Sequence, residues 1–345
     1  MKVAEFFMPF LYFLRSIANP FFDFLFALIT HLGEETVFLV VAILFFWCVN
    51  KREGYFILIT GLFGTIINQA AKILFRIPRP WGVDSGFRPV EDAIEEATGY
   101  SFPSGHTQNI AGAFGSIAAF KPSRKRTVLC VTVIVLVAFS RMYLGVHTPL
   151  DVGVSLLLAL GLVLLFRPIF TDEHKFRRFM PYVVVASVAA SLALLAIVLL
   201  VPREGIDEQN LYSAMKNAST MLGCMAGLVL VWFVDSRFVN FETKAPWYSQ
   251  IMKLVIGLGV ILGIKSGLSS PLVALFGNEF VARGVRYFLI VAFAGALWPL
   301  TFKWFADLRI EPLERFGNKV VDAVKAAAAK IKSALTRTDD SKKSV

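Results

Sequence analysis

Charge is what this chain has little of. Only 17% of its 345 residues are charged, 56% are hydrophobic, and the mean hydropathy is +0.65. That leaves too little polar surface to coat a soluble globule of this size, so a membrane protein is the expected class. Cysteine is scarce as well. Cys48, Cys130 and Cys224 are widely separated and each sits in an apolar run, which excludes a disulfide framework and a metal-ligand spacing and leaves them as packing residues. The N-terminus lacks a short apolar run ending in a small-residue cleavage site, so no signal peptide is expected. There is no repeat of fixed period, and no Gly/Ser-rich linker divides the chain.

What is present is a series of apolar segments, near residues 20–31, 35–49, 55–75, 104–120, 127–144, 149–167, 180–201, 211–234, 251–269 and 284–305. Most approach the roughly 20 residues a helix needs to cross hydrocarbon. The expectation is an all-α polytopic transmembrane bundle of nine to ten spans. The first segment stays open between a span and an interfacial helix, because Pro20 breaks the pattern and Arg15 interrupts its upstream extension.

The net charge of +10 does not point to nucleic acid, because its carriers lie in short loops and in the tail. Lys51 and Arg52, then Lys121, Arg124, Lys125 and Arg126, then Arg167, Lys175, Arg177 and Arg178 fall on one side of the span count. The positive-inside rule makes that side cytoplasmic. Loops 76–103 and 140–150 then face outward, and Arg76, Arg79, Arg88 and Arg141 go against the rule there.

Three units are expected: a six-segment unit over 1–170, further transmembrane helices over 171–308, and a basic cytoplasmic tail over 309–345. In the tail, Leu313, Phe316, Val320, Val324, Ile331 and Leu335 recur at near-helical spacing among lysines. That reads either as an amphipathic helix on the anionic leaflet or as a solvated tail.

Ionisable residues at membrane depth are costly and mark work to be done. Three clusters qualify: Lys72 with Arg79-Pro80; Pro103-Ser104-Gly105-His106; and Ser140-Arg141 with His147 and Asp151. Phosphate hydrolysis needs cations around the phosphoryl oxygens, a nucleophile, an acid for the leaving group and a group that orients the nucleophile. Lys72, Arg79 and Arg141 supply cations, and the guanidinium forks suit bidentate contact. Pro78 and Pro80 are expected to end the helix that carries Lys72. Ser104 reads as an N-cap, with Gly105 letting an anion approach the free N–H groups of the helix start. Thr148-Pro149 reads as a second N-cap and first turn, placing His147 at a helix mouth with Asp151 four residues on.

Together the clusters spell KxxxxxxRP, PSGH and SRxxxxxHxxxD, and so resemble the type 2 phosphatidic acid phosphatase (PAP2) superfamily of integral membrane lipid phosphatases. The match holds at every specified position over residues 72–151. The resemblance implies His147 as a nucleophile that becomes phosphohistidine, Asp151 orienting it and His106 as acid on the leaving group. It implies that Lys72, Arg79, Ser104, Gly105 and Arg141 bind the phosphoryl group. It also implies no metal and no cofactor, and a site opening at the outer or lumenal face. In length and layout the chain is similar to glucose-6-phosphatases and sphingosine-phosphate phosphatases.

The leading expectation is therefore a phosphatase of a lipid phosphate, monoester or diphosphate, in the cell membrane, with no nucleic-acid partner. A phosphatase of a soluble sugar phosphate is a second reading, and a transporter or scaffold with a retained phosphate pocket a third. Outside the motifs, Lys216, Asn217 and Lys265 either reach a headgroup or snorkel to the interface. Asn68 and Gln69 either position Lys72 or bond another helix. Trp81, Tyr100 and Phe102 either line an entrance or belong to an aromatic belt. The acidic stretch from Asp84 to Glu96 is expected to be an exposed cover.

Overall fold

A computed structural model describes residues 2–95 and 97–317, together with 319, 320, 322, 326 and 327. Among these residues every regular element is helical and none is a strand. Two helices near the N-terminus, α1 (Lys2–Phe6) and α2 (Met8–Ser16), precede α3 (Pro20–Thr30). Pro20 occupies the first turn of α3, where its missing N–H costs nothing, and the stretches Ala4–Ser16 and Pro20–Gly33 meet at 120°. Arg15 closes the bend through Asp23 at 2.8 Å, which accounts for an arginine inside an apolar run.

The bundle proper begins with α4 (Glu35–Leu44) and α5 (Lys51–Phe75), followed by short α6 (Pro80–Val83) and α7 (Glu91–Glu95) in the loop beyond α5. Next come α8 (Gly105–Phe120), α9 (Arg124–Tyr143), α10 (Pro149–Thr171), α11 (Glu173–Leu200) and α12 (Glu208–Val234). Then α13 (Trp247–Gly267), α14 (Ser269–Phe276), α15 (Glu279–Ala292) and α16 (Phe302–Asp307) complete it. Polar caps set the starts: Asn50, Ser123, Asp172, Asp207 and Asn278 each accept a backbone N–H of the first turn, satisfying donors a helix leaves free.

Seven helical stretches are long and apolar enough to cross a membrane, or eight if the bent pair counts as one span. The chain is a multi-pass membrane protein with an all-α fold. The segments at 35–49 and 104–120 are helical as expected but short: Glu35–Val49 ends in a wider π turn, and α8 has 16 residues. That is below the length of an independent span. The expected amphipathic helix of the tail falls largely outside the described residues.

Helix α5 is central, packing against α4, α8, α10, α11 and α12. One apolar cluster runs from Phe56, Phe166 and Phe170 to Met221, Met225 and Leu228, so the later helices share a core with the earlier ones. Both ends of α5 are tied to them by charge. Lys51 Nζ lies 3.0 Å from Asp235, and Arg76 donates to the carbonyls of Pro202 and Glu204, each at 2.8 Å. Arg76 thus breaks the positive-inside pattern because it caps two loop carbonyls.

The tightest crossing joins α12 to α15. A Cβ built on Gly223 would stand 2.0 Å from the carbonyl oxygen of Gly284, and one on Gly227 would meet Val291 at 2.8 Å. Gly223 and Gly227 form a G-x-x-x-G stripe, the arrangement that lets helix backbones touch in lipid. Gly223→Leu should force the pair apart and destabilise the protein by roughly 1–3 kcal/mol. The check is a thermal melt in detergent, in which this variant unfolds several degrees below a Gly259→Leu control, whose position is open.

Candidate active site

The site is assembled from helix ends. Helix α5 stops at Phe75, three residues before Pro78, because Arg76 turns left-handed at φ 52°. The break expected from the prolines comes earlier and is held by the Arg76 contacts above. Lys72 lies in the last turn, buried, with Gly99 leaving its Nζ room at 4.0 Å from a built Cβ. Arg79 is extended at the start of α6. Its guanidinium turns inward, with Nε donating to Gly99 O at 3.1 Å, Nη2 to Thr98 O at 2.9 Å and Nη1 to Val146 O at 3.0 Å.

Helix α8 opens as expected on Ser104, whose Oγ accepts from the Thr107 amide at 3.4 Å. The cap is strapped to α10: Ser104 N donates to Asp151 O at 3.2 Å, and Ser155 Oγ donates to Ser104 O at 2.9 Å. Asn68 donates to Pro103 O at 3.2 Å, so it holds this turn and does not hold the Lys72 ammonium. Gly105 meets only Asn68 Oδ1, at 4.0 Å from a built Cβ, which leaves the helix start open to an anion. His106 packs with its Cβ against Gly33, and its Nε2 is buried without a hydrogen-bond partner among the described residues. The charges of Arg141, Arg79 and Lys72 all act on its ring.

Helix α10 starts with a full capping box. Thr148 Oγ1 accepts from Asp151 N at 3.3 Å, and Asp151 Oδ2 accepts from Thr148 N at 2.7 Å. The reciprocal bonds fix the carboxylate one turn from His147, with Oδ2 3.4 Å from His147 Nδ1. On the opposite edge of the ring, Arg79 Nη1 lies 2.9 Å from Nε2. A guanidinium has no lone pair and can only donate. Nε2 therefore accepts, and the ring proton sits on Nδ1, facing the carboxylate. Burial first, and then the cations Arg79, Arg141 and Lys72, hold His147, in the turn between α9 and α10, well below the usual histidine range. A neutral imidazole with its Nε2 lone pair among cations results. Arg141, at the end of α9, is buried and donates to Thr30 Oγ1 at 2.6 Å.

One residue in this network was not anticipated. Ser101 Oγ donates to Asp151 Oδ2 at 2.6 Å and lies 3.4 Å from His147 Nδ1. It sits three residues before Ser104 in the same loop, but spacing along the chain carries no hint that it meets a carboxylate 50 positions on. Ser101→Ala should lower kcat by about tenfold, the cost of one lost bond to a buried charge, while KM stays put. A matching rise in KM would place Ser101 on the substrate instead.

Among the aromatics, Phe102 meets Phe75 edge-on at 5.4 Å, Tyr100 borders a polar pocket of about 50 Å³ with Lys72, Gln69, Asn210 and Asn217, and Trp81 packs beside Tyr143 and Val146. Asn217 thus reaches the edge of the site. In the acidic stretch Asp84 accepts from Tyr12 at 2.9 Å, and Arg88 caps Ser85 O at 2.8 Å; residue 96 lies outside the described residues. Among the described residues, no three His, Cys, Asp or Glu side chains group as metal ligands.

Fold and site together define a helical multi-pass membrane protein with cations, two histidines and a carboxylate gathered at one end of the bundle. The chain belongs to the PAP2 superfamily. That family model matches residues 52–175, and the transmembrane extension of PAP2 superfamily phosphatases matches residues 219–309. Phosphatidylglycerophosphatase B of Bacillus subtilis is 32% identical over 180 residues, 47% of this chain and 81% of that protein. An undecaprenyl-diphosphatase of the same organism is 34% identical over 118 residues, 34% of this chain and 58% of its own length. An undecaprenyl-diphosphatase of Sulfolobus acidocaldarius is 30% identical over 122 residues, 35% of this chain and 57% of its own. No solved structure matches.

Proposed function

We propose that the protein is a phosphatase of a lipid phosphate, monoester or diphosphate, working through a phosphohistidine at His147. The observation that carries this reading is the state of that ring: neutral, protonated on Nδ1 toward Asp151 and Ser101, with Nε2 turned to Arg79. A bound phosphoryl group sits among Lys72, Arg79, Arg141 and the N–H groups opening α8 at Ser104 and Gly105. The Nε2 lone pair forms a P–N bond as the P–O bond to the lipid breaks. His106, protonated when the phosphate dianion balances the surrounding cations, gives its proton to the departing oxygen. Water then attacks phosphorus, His106 takes a proton from it, and the P–N bond breaks to free phosphate and His147. Asp151 holds the ring throughout.

The relatives' names, with a phosphatidylglycerol phosphate or an undecaprenyl diphosphate as substrate, support a lipid over a sugar phosphate. We place the site at the extracytoplasmic face of the cell membrane and the tail in the cytoplasm, on the loop charges. Residues 1–170 form the catalytic unit, and 171–308 are added helices that brace it. Purified protein should release phosphate from phosphatidylglycerol phosphate or undecaprenyl diphosphate much faster than from glucose 6-phosphate, and equal rates would overturn the lipid assignment. The same assay in excess EDTA should give an unchanged rate, since the cations here are side chains; a loss that Mg²⁺ restores would contradict this.

A further inference from the structure

Away from the catalytic residues, the later helices enclose two neighbouring cavities of opposite character. The first, of about 240 Å³, lies between α4, α5, α12, α13 and α15 and is walled almost wholly by hydrocarbon, including Leu39, Leu62, Leu228, Ile261 and Val291. Its one cation is Lys265. Along α4 and the π turn that follows it, the cavity runs from Thr36 to Phe46, a length of about 15 Å along a helix, which is the scale of a fatty acyl chain. The second, of about 230 Å³, is polar and is bordered by Lys216, Arg283 and Arg286 together with Tyr212 and Glu279.

The two are joined by charge. Lys265 lines the apolar cavity and Ser269, one turn on, borders the polar one, while Arg286 borders the polar cavity one turn before Ile290 of the apolar one. The cations therefore stand where the two cavities adjoin, and Glu35, next to Thr36, feels Arg283, Lys265 and Lys216 there. They outnumber the nearby acids: four cations stand against Glu35 and Glu279, and Glu279 already accepts from Tyr212 at 2.9 Å. None of the four has a carboxylate within ion-pairing distance among the described residues. Arg283 is held in place by Thr220 Oγ1 at 2.7 Å, and Arg286 has a buried Nε with no hydrogen-bond partner among the described residues. Cations near helix ends without an ion-pair partner attract an anionic headgroup, and a buried donor without an acceptor calls for one. A hydrocarbon slot ending on such a cluster is complementary to one kind of molecule.

We propose that these helices bind an anionic phospholipid that is not turned over, with one acyl chain in the apolar cavity and its phosphate on Lys216, Lys265, Arg283 and Arg286. The two cavities share no lining residue with the pocket at Lys72, although Lys216 is next to Asn217 at that pocket's edge. Lys216 and Lys265, open in the sequence between headgroup contact and snorkelling, are on this reading headgroup ligands.

The test uses the full-length protein, delipidated in detergent and immobilised, with radiolabelled long-chain phosphatidylglycerol as probe and long-chain phosphatidylcholine as comparison. Phosphatidylglycerol is a phosphodiester and has no terminal phosphate to lose. Its binding should saturate at one lipid per chain and be at least about tenfold tighter than that of phosphatidylcholine, a difference of about 1.4 kcal/mol. The double variant Lys216→Gln with Arg283→Gln should bring phosphatidylglycerol down to the phosphatidylcholine level. Leu262→Trp, on the exposed side of the slot, should weaken it through the chain and leaves every charge in place. His147→Ala should bind as the parent does. Equal affinity for the two lipids, an unchanged affinity in either slot or charge variant, or loss of binding in His147→Ala would each overturn the proposal.

Discussion

His147→Ala should reduce phosphate release by at least about four orders of magnitude, the scale on which removing a covalent nucleophile acts. The loss should fall on kcat and extend to every substrate, activated or not. Arg79, the group on the far edge of the ring, has no lone pair to offer in its place. A stopped-flow or discontinuous phosphate assay on purified variant, with folding checked by its melt, reads the effect directly. Activity within tenfold of the parent would remove His147 from the role. Asp151→Asn should act less severely: the amide oxygen can still accept from Thr148 N–H at the capping box, but without the charge its hold on Nδ1–H is weaker.

His106→Ala should separate substrates that His147→Ala treats alike. An acid matters most when the departing oxygen is strongly basic, so its removal should cost alkyl phosphates about 10²–10⁴-fold. p-Nitrophenyl phosphate carries a leaving group that departs without a proton, and much of its hydrolysis should survive. The environment of His106 fits an acid more than a structural ring: its Nε2 is buried without a partner among the described residues, while Gly33 backs the Cβ. Equal losses on both substrates would assign His106 to holding phosphate. Loss of both substrates in His106→Ala, with aryl hydrolysis surviving in His147→Ala, would mean that the two histidine roles are exchanged.

The parts of the candidate site that were legible sit at helix ends whose signals are local. Ser104 and Thr148 are caps in the sequence and caps in the structure, and a capping box that begins at the residue after His147 needs no distant partner to form. What could not be read were meetings between segments far apart. Ser101 reaches Asp151 only because the turn before α8 is strapped onto α10 through Ser155. Asn68 turned to the Pro103 carbonyl, an outcome no spacing along α5 foretells. The helix carrying Lys72 ended early because carbonyls from a loop some 130 residues on hold Arg76. The Gly223–Gly227 stripe takes its meaning from Gly284 and Val291 across the crossing, which spacing along α12 does not name. The fold class followed from composition, whereas the span count did not, since 35–49 and 104–120 are apolar helices too short to stand alone.

The most direct measurement is rapid-quench trapping of the intermediate with phosphate-labelled lipid substrate. Label should appear on the protein within one turnover, survive alkali and be lost in acid, as a phosphoramidate does, and map to the peptide containing His147. It should accumulate in parent protein and be absent from His147→Ala. Label on another residue, or burst-free release of phosphate with no labelled protein at any time, would contradict covalent catalysis by His147.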